Sequence, residues 1–549
     1  MTADLAYRRS PDQDRREPAR HPVVIVGAGP VGLALAIDLR LRGVEPVVLE
    51  ADTALATGSR AICYAKRSLE ILDRLGVAAR MVEKGVVWQI GKVFWRDRMV
   101  YQFDLLPERG HKMPAFVNLQ QFHLERYLVE RARELGGIDL RFGHPVTGVE
   151  PADDGARLAV DTPEGPYRLS AEWLLACDGA RSLVRRALDL PFEGQVFRDR
   201  FLITDVRMAA DFPPERWFWF DPPFHPGRSA LLHAQPDDVW RIDLQLGWDV
   251  DPEAEVGPER VIPRLKAMLG PSRPFEIEWV SLYTFRCRRL REFRHGRVIF
   301  LGDAAHQVSP FGARGFNGGL QDADNLAWKL ALVLGGAAPE ALLDSYAAER
   351  EAAADENIRH STRSTEFISP KGEASRAYRD AVLALAPDHG FARRMINSGR
   401  LSTACTYGLG DGAAGWSGGG IRPGAPCADA PLLSPTGRPA WLLERLGHGF
   451  TLLRFARDGA GAESPLPRGD GPVTLDEVVI GGRATPWVDL VDAEGLAFAR
   501  YAARPGNCLL IRPDQHVAAR FERCEPQAVA RALRRALGED APARTMAGT

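Results

Sequence analysis

The chain has 549 residues, 45% of them hydrophobic and 26% charged, with a formal net charge of -2. That length exceeds a single hydrophobic core and implies several domains. The near-neutral balance gives no electrostatic reason to expect nucleic acid or an anionic membrane as partner. Seven scattered cysteines without a CxxC pair or metal-ligand spacing argue for a reducing, cytoplasmic setting and against a metal site. Residues 1–21 mix both charge signs without an apolar stretch and read as a disordered tail. The uncharged run Pro22–Ile37 is too short and too glycine-broken to span a bilayer.

The first ordered unit is "VVIVGAGPVGLALAIDLRLRGVEPVVLE". Val23–Val26 reads as a strand buried on both faces. Gly27, Gly29 and Gly32 form GxGxxG, which gives a tight turn, close approach to a pyrophosphate, and close helix–strand packing. The helix that follows offers free N–H groups and a favourable dipole to phosphates. Glu50 ends the second strand, where a carboxylate accepts the ribose hydroxyls of an adenosine and repels a 2′-phosphate. The complete strand–helix–strand unit with its terminal acid specifies a dinucleotide fold, and FAD and NAD both satisfy it.

Further along, "WLLAC" (Trp173–Cys177) is another buried strand, followed by Asp178-Gly179-Ala180-Arg181. From Phe192 to Arg288 the pattern changes to period two, with "RWFWF", "ALLHAQ" and "VWRIDLQL" joined by turns, as in an antiparallel sheet. Trp217 and Trp219 share one face there and Phe218 and Phe220 the other. The Trp pair suits either a wall against a planar substrate or ordinary strand packing. Val298–Leu301 is a strand ended by Gly302-Asp303, and "SPFGARGFNGG" then presents backbone amides before a long apolar helix. A glycine-rich break at Tyr407–Pro426 precedes a small α/β unit that lacks CxxC, and the last residues read as disordered.

The first glycine turn, "WLLACDGARSLVRR" and "GRVIFLGDAAHQVSPFGARGFNGGLQDADNLAWKLA" occur together in the order of the single-component FAD-dependent aromatic hydroxylases. The chain resembles that family, which includes para-hydroxybenzoate, phenol and hydroxyphenylpropionate hydroxylases, over about residues 22–390. The resemblance implies an α/β (α+β overall) architecture: a Rossmann-like FAD-binding domain, an interleaved antiparallel substrate sheet, and a C-terminal thioredoxin-like domain. The corresponding boundaries are 1–21 tail, 22–190 and 289–400 FAD-binding domain, 191–288 substrate sheet, 401–426 linker, and 427–540 C-terminal domain. It implies that NADH or NADPH reduces FAD and that a flavin C4a-hydroperoxide then hydroxylates a phenolic aromatic with O₂. Arg60, Gln121, Asp178 and Asp303 match the family's flavin-contacting positions, and Pro310, Gly315, Phe316 and Asn317 match its flavin-facing loop. Ile62 stands where some relatives carry an acid, so no base comes from that position. His233 and Tyr283 are the candidate catalytic contacts to a phenol oxygen; Trp217, Trp219, His225 and Pro310 are the candidate substrate contacts. Each histidine also has a plain structural reading. The C-terminal domain is expected to be structural or to make homodimer contacts. Two rival readings are a flavin-dependent halogenase, whose WxWxIP pattern "WFWFDP" breaks at Asp221, and a non-catalytic FAD-binding protein.

Overall fold

A computed structural model of the protein describes residues 4–56, 61–248, 250–396, 401–409, 413–414, 419–456 and 473–539. The last ten residues, parts of the glycine-rich break, and Arg60 lie outside the described residues.

The apolar strands Ala19–Val26, Val47–Glu50, Tyr167–Ala176 and Val298–Phe300 form the parallel centre of one sheet, with Asp139–Phe142 at its edge. Their registers pair Val26 with Leu49 and with Ala176, and Ala176 with Phe300. All four carboxyl ends therefore stop at one level. Helix Pro30–Leu41 packs between helices Gln121–Leu135 and Gly315–Leu334, as a helix made almost entirely of buried Leu, Ala and Ile requires.

The period-two region forms a second sheet, ordered His306–Gln307, Glu276–Leu290, Phe192–Arg207, Val239–Leu246, Ser229–Ala234, Arg216–Phe220, Ile90–Trp95 and Arg98–Asp104. The last two strands come from far upstream of residues 191–288. Ile90–Trp95 joins Arg216–Phe220 in parallel, a pairing that no local turn announces. A separate three-stranded sheet pairs Cys63–Ala65 and Val86–Trp88 with the central strand Phe116–Asn118. A third large sheet belongs to the C-terminal unit.

The amino-terminal segment departs from the disordered tail expected from its charge pattern. Leu5 is buried and Ser10 caps the short turn Pro11–Asp14. Asp12 is paired with His21 at 2.7 Å and with Arg141 at 2.8 Å. The charges that suggested a solvated tail find partners both nearby, as in Arg9–Asp14, and more than a hundred residues away, as in Asp12–Arg141 and Arg9–Glu164. Among the described residues, no helix is long and apolar enough to cross a membrane.

The C-terminal unit docks on helix Gly315–Leu334. Trp328 packs edge-on against Phe450 at 5.6 Å, and beside it lies a buried web of charge. Arg512 bonds Glu349 at 2.6 and 2.9 Å and Asp514 at 2.5 Å. Lys329 bonds Glu349 at 2.8 Å, and Arg67 reaches both Asp324 and the Asp514 carbonyl. Burial opposes the charge on Glu349, but Arg512 and Lys329 overcome it and hold the acid at about 2, against its ordinary 4.5.

That depression contributes about 3 kcal/mol of stability, fully present above pH 4.5 and lost as the pH falls towards 2. Glu349→Gln should accordingly be less stable than wild type at pH 7, and the gap should narrow by about 3 kcal/mol under acid. Denaturant unfolding at several pH values measures it; a gap independent of pH would remove Glu349 from the acid response.

Candidate active site

Backbone hydrogen bonds extend the parallel ladder past the last strand residues. Gly27 N–H donates to the Leu49 carbonyl at 2.8 Å, Cys177 N–H to Val26 at 2.9 Å, and Leu301 N–H to Ala176 at 3.0 Å. This brings the three sequence motifs to one edge, although they are separated by more than a hundred residues each. Gly27 has φ 104°, and a Cβ there would lie 2.5 Å from the Cys177 carbonyl oxygen. A Cβ on Gly32 would overlap the Gly27 carbonyl oxygen. Gly29 differs from both, because a Cβ would meet no protein atom within 4 Å. Its side faces open space at the start of helix Pro30–Leu41, where unpaired amides point outward.

The remaining predicted residues gather round that space. Glu50 accepts hydrogen bonds from Ala28 N–H at 2.7 Å and Asp52 N–H at 3.0 Å, which anchor its carboxylate beside the glycine turn. Gln121 accepts from Ala61 N–H at 3.1 Å and Glu125 from Ala56 N–H at 3.0 Å, so one helix holds both flanks of the segment containing Arg60. Asp178 accepts from Val184 N–H with one oxygen, while its other oxygen is buried without a protein partner. Asp303 lies exposed in the short turn Gly302–Ala304 and does not cap the long helix, whose N-cap is Arg314. Open space at a phosphate-binding helix, an anchored ribose acid and an orphaned buried carboxylate oxygen together fit FAD.

The loop Pro310–Asn317 leads into that long helix, which begins at Gly315. Gly312 and Ala313 take positive φ values of 112° and 54°, turning the chain back on itself. Asn317 is buried, accepts from Ala65 N–H at 3.0 Å and donates to the Cys63 carbonyl at 3.0 Å. It thereby clamps the loop to strand Cys63–Ala65. Phe316 meets Tyr64 edge-on at 5.2 Å, and exposed Pro310 precedes buried Phe311.

Phe311 identifies the inner face of the second sheet. It contacts Phe201 and Phe285, with ring centroids 5.0 and 4.9 Å away, and lies 6.4 Å from Phe218. Trp217 and Trp219 stand on the opposite face, packed with Phe212, Phe94 and helix Pro258–Leu269. Of the two readings of Trp217 and Trp219, this arrangement fits ordinary strand packing: those rings belong to the outer core, and Phe218 is turned inward. His225 lies in a turn, and its ring bonds the Gln245 carbonyl at 2.7 Å, as a structural residue does.

His233 lies on the inner face, 4.0 Å from Cys63 Sγ and edge-on to Trp88. Burial, followed by Arg216 and Arg241, pushes its pKa well below the ordinary 6.5, so it is neutral at physiological pH. Tyr283 is partly exposed, with its ring 5.6 Å from Phe285. The same face carries Asp243, Arg216 and the pair Arg241–Asp205, which the motif search missed. The available signal was a fully buried strand, Val239–Leu246, in which every second residue from Arg241 to Gln245 is polar.

Residues 20–361 match the FAD-binding domain family. The chain belongs to this family. Its relatives include the 12-dehydrotetracycline 5-monooxygenase/anhydrotetracycline 6-monooxygenase of Streptomyces rimosus, 31% identical over 91% of this chain and 95% of that one. Para-nitrophenol 4-monooxygenase of a Pseudomonas species is 31% identical over 60% of this chain and 82% of its own. The solved structure of the anhydrotetracycline hydroxylase OxyS from Streptomyces rimosus is 28% identical and covers 95% of this chain and 99% of its own, with a TM-score of 0.70. This chain is an FAD-dependent aromatic monooxygenase of the single-component hydroxylase type.

Two glycines separate fold from cofactor. Gly32→Ala should fail to fold natively, since its Cβ overlaps backbone. Gly29→Ala should keep the thermal stability of the cofactor-free protein yet retain FAD at least tenfold less tightly, a loss of about 1.4 kcal/mol or more. Unfolding midpoints and bound-flavin fluorescence read the two effects; unchanged FAD affinity in Gly29→Ala would place the pyrophosphate elsewhere.

Proposed function

We propose that this monooxygenase hydroxylates a fused, polycyclic phenol, with NADH or NADPH and O₂ as co-substrates. The carrying observation is coverage: the tetracycline-type relative aligns through the C-terminal unit as well, whereas the single-ring nitrophenol enzyme aligns over only 60% of the chain. FAD, once bound and reduced, supplies the activation of O₂ for oxygen transfer. The protein binds and orients the ring, excludes water and handles the phenol proton.

The named residues take the following parts. Gly27, Gly29, Gly32, Glu50, Arg60, Gln121, Asp178 and Asp303 hold the dinucleotide and ribityl portions. Amides of Gly315, Phe316 and Asn317, at a helix start, face the electron-rich edge of the ring system. Pro310, Phe218 and Tyr283 border the substrate, and His233, neutral at physiological pH, offers a hydrogen bond to its oxygen.

The C-terminal unit is thioredoxin-like in this proposal. Parallel strands Phe450–Phe455 and Leu475–Gly481, an antiparallel pair Cys508–Ile511 and Val517–Phe521, and a last helix Pro526–Ala536 support that topology. Burial holds the Cys427 thiol at about 12, so the unit has a structural rather than a thiol-redox role. Seven free cysteines support a cytoplasmic setting.

Product formation per NAD(P)H consumed, measured with a single-ring phenol, a hydroxynaphthalene and a hydroxyanthraquinone, tests the substrate class. Fused rings should give severalfold higher kcat/KM and more hydroxylated product by mass; a preference for the single ring would overturn the reading. His233→Ala should keep its FAD while a larger share of the NAD(P)H consumed ends as peroxide.

A further inference from the structure

Strand Val239–Leu246 is buried along its whole length, yet Arg241, Asp243 and Gln245 share one face of it. Two of the three are satisfied. Arg241 holds Asp205 through two bonds of 2.8 and 2.7 Å. Gln245 bonds Ser369 at 2.7 Å and accepts from Ser229 N–H at 3.0 Å. The Asp243 carboxylate makes no hydrogen bond among the described residues; the residue is only 8% exposed, with Oδ1 sealed from solvent. An ionisable group left in that state costs free energy that a well-packed apolar residue would not.

The register shows where Asp243 faces. It pairs directly with Leu231, which pairs with Phe218, and directly opposed residues share a face. Leu231 and Phe218 pack in the cluster that contains Phe311, next to the flavin-facing loop. Arg216 lies two residues before Phe218 and so points the same way. Its guanidinium makes no ion pair among the described residues; Asp243, Cys63 and Tyr101 act on it, and it in turn acts on the His233 ring, which the Arg241 cation also faces. An unpartnered carboxylate and an unpaired guanidinium thus face one site, each lacking what a phenol would supply.

We infer that Asp243 and Arg216 are the acid–base pair for the substrate, Asp243 accepting the phenol proton and Arg216 neutralising the oxyanion. This rests on the aromatic-hydroxylase reading and deepens it. The phenol O–H bond breaks as an Asp243 O–H bond forms. As the ring C–O bond forms, the O–O bond of the oxygen that bound, reduced FAD would activate breaks; the displaced ring proton then passes through water to the oxygen left behind, and Asp243 returns its proton to the original phenol oxygen. Both catalytic groups therefore end as they began. Burial raises the Asp243 carboxyl to about 6, with Asp205 adding to the rise and Arg241 and Arg216 opposing it. An acceptor of that basicity is ionised at neutral pH and suited to proton transfer. His233, nearby on the same face, is held too weakly basic by burial and the two arginines to serve.

The holoenzyme is assayed with a hydroxynaphthalene and with its more acidic cyano-substituted analogue. For wild type, hydroxylated product per NAD(P)H should fall as the pH drops through about 6. Asp243→Asn should cut that yield about tenfold with the parent phenol, flatten its pH profile and retain FAD. The acidic analogue, assayed at a pH above its own pKa so that it enters as the phenolate, should restore most of the yield in Asp243→Asn but not in Arg216→Gln. A wild-type yield and profile in Asp243→Asn, or no rescue by the acidic analogue, would overturn the assignment. If Asp243→Asn does not retain FAD, Arg216→Gln decides instead: wild-type yield at neutral pH refutes the pair, and a raised pH for ionisation of the bound phenol supports it. If wild type itself yields no hydroxylated product from any phenol, the functional reading falls and takes this assignment with it.

Discussion

The site depends on one constraint: four parallel strands end at the same level, and their hydrogen-bond ladder continues one step into the loops beyond. Gly27 leans on Leu49, Cys177 on Val26, and Leu301 on Ala176. Each bond costs little alone, but together they leave no freedom in how the glycine turn, Asp178 and Asp303 are placed. A parallel sheet collects its loops at the carboxyl edge because every strand runs the same way. The crowding at Gly27 and Gly32 follows from the same closeness.

A second constraint acts on the helix Gly315–Leu334. Its first turn continues the loop Pro310–Asn317, and its middle carries Asp322, Asp324, Asn325 and Lys329, all buried. Asp322 accepts from Gly302 N–H at 2.9 Å, His306 at 2.7 Å and Arg350 at 2.6 Å. Further along, Lys329 joins the charge web of the C-terminal unit. One rigid element is therefore pinned by buried charge at both the turn Gly302–Ala304 and the docked third sheet. Such groups are strongly destabilising if one partner is removed, which ties the C-terminal unit to the helix that carries the site.

The second sheet divides its work between faces. Its outer face uses Trp217, Trp219, Leu232 and Ile242 as ordinary core against a helix, while its inner face mixes Phe218 and Leu231 with Arg216, His233, Arg241 and Asp243. Period-two alternation in the sequence separates the two sets correctly but carries no sign saying which set faces the cofactor. The partner of each face decides that, and those partners, Phe311 and helix Pro258–Leu269, lie elsewhere in the chain. Large aromatic rings on a strand mark a core as readily as a substrate wall, and here Trp217 and Trp219 pack against a helix.

What the sequence determined by itself was the cofactor class and the run of motifs, because the glycine turn, its helix and Glu50 are contiguous and act through local backbone geometry. The glycine-rich loop before the long helix was likewise legible, and the helix itself starts at Gly315. Tertiary structure alone decided the order of the amino-terminal segment, since Asp12 needs Arg141 and His21 for neutralisation. It also decided the parallel entry of Ile90–Trp95 into the second sheet and the inward face of Asp243. These are pairings between residues far apart in the chain, whose energies depend on distance in space and leave no periodic mark along the sequence.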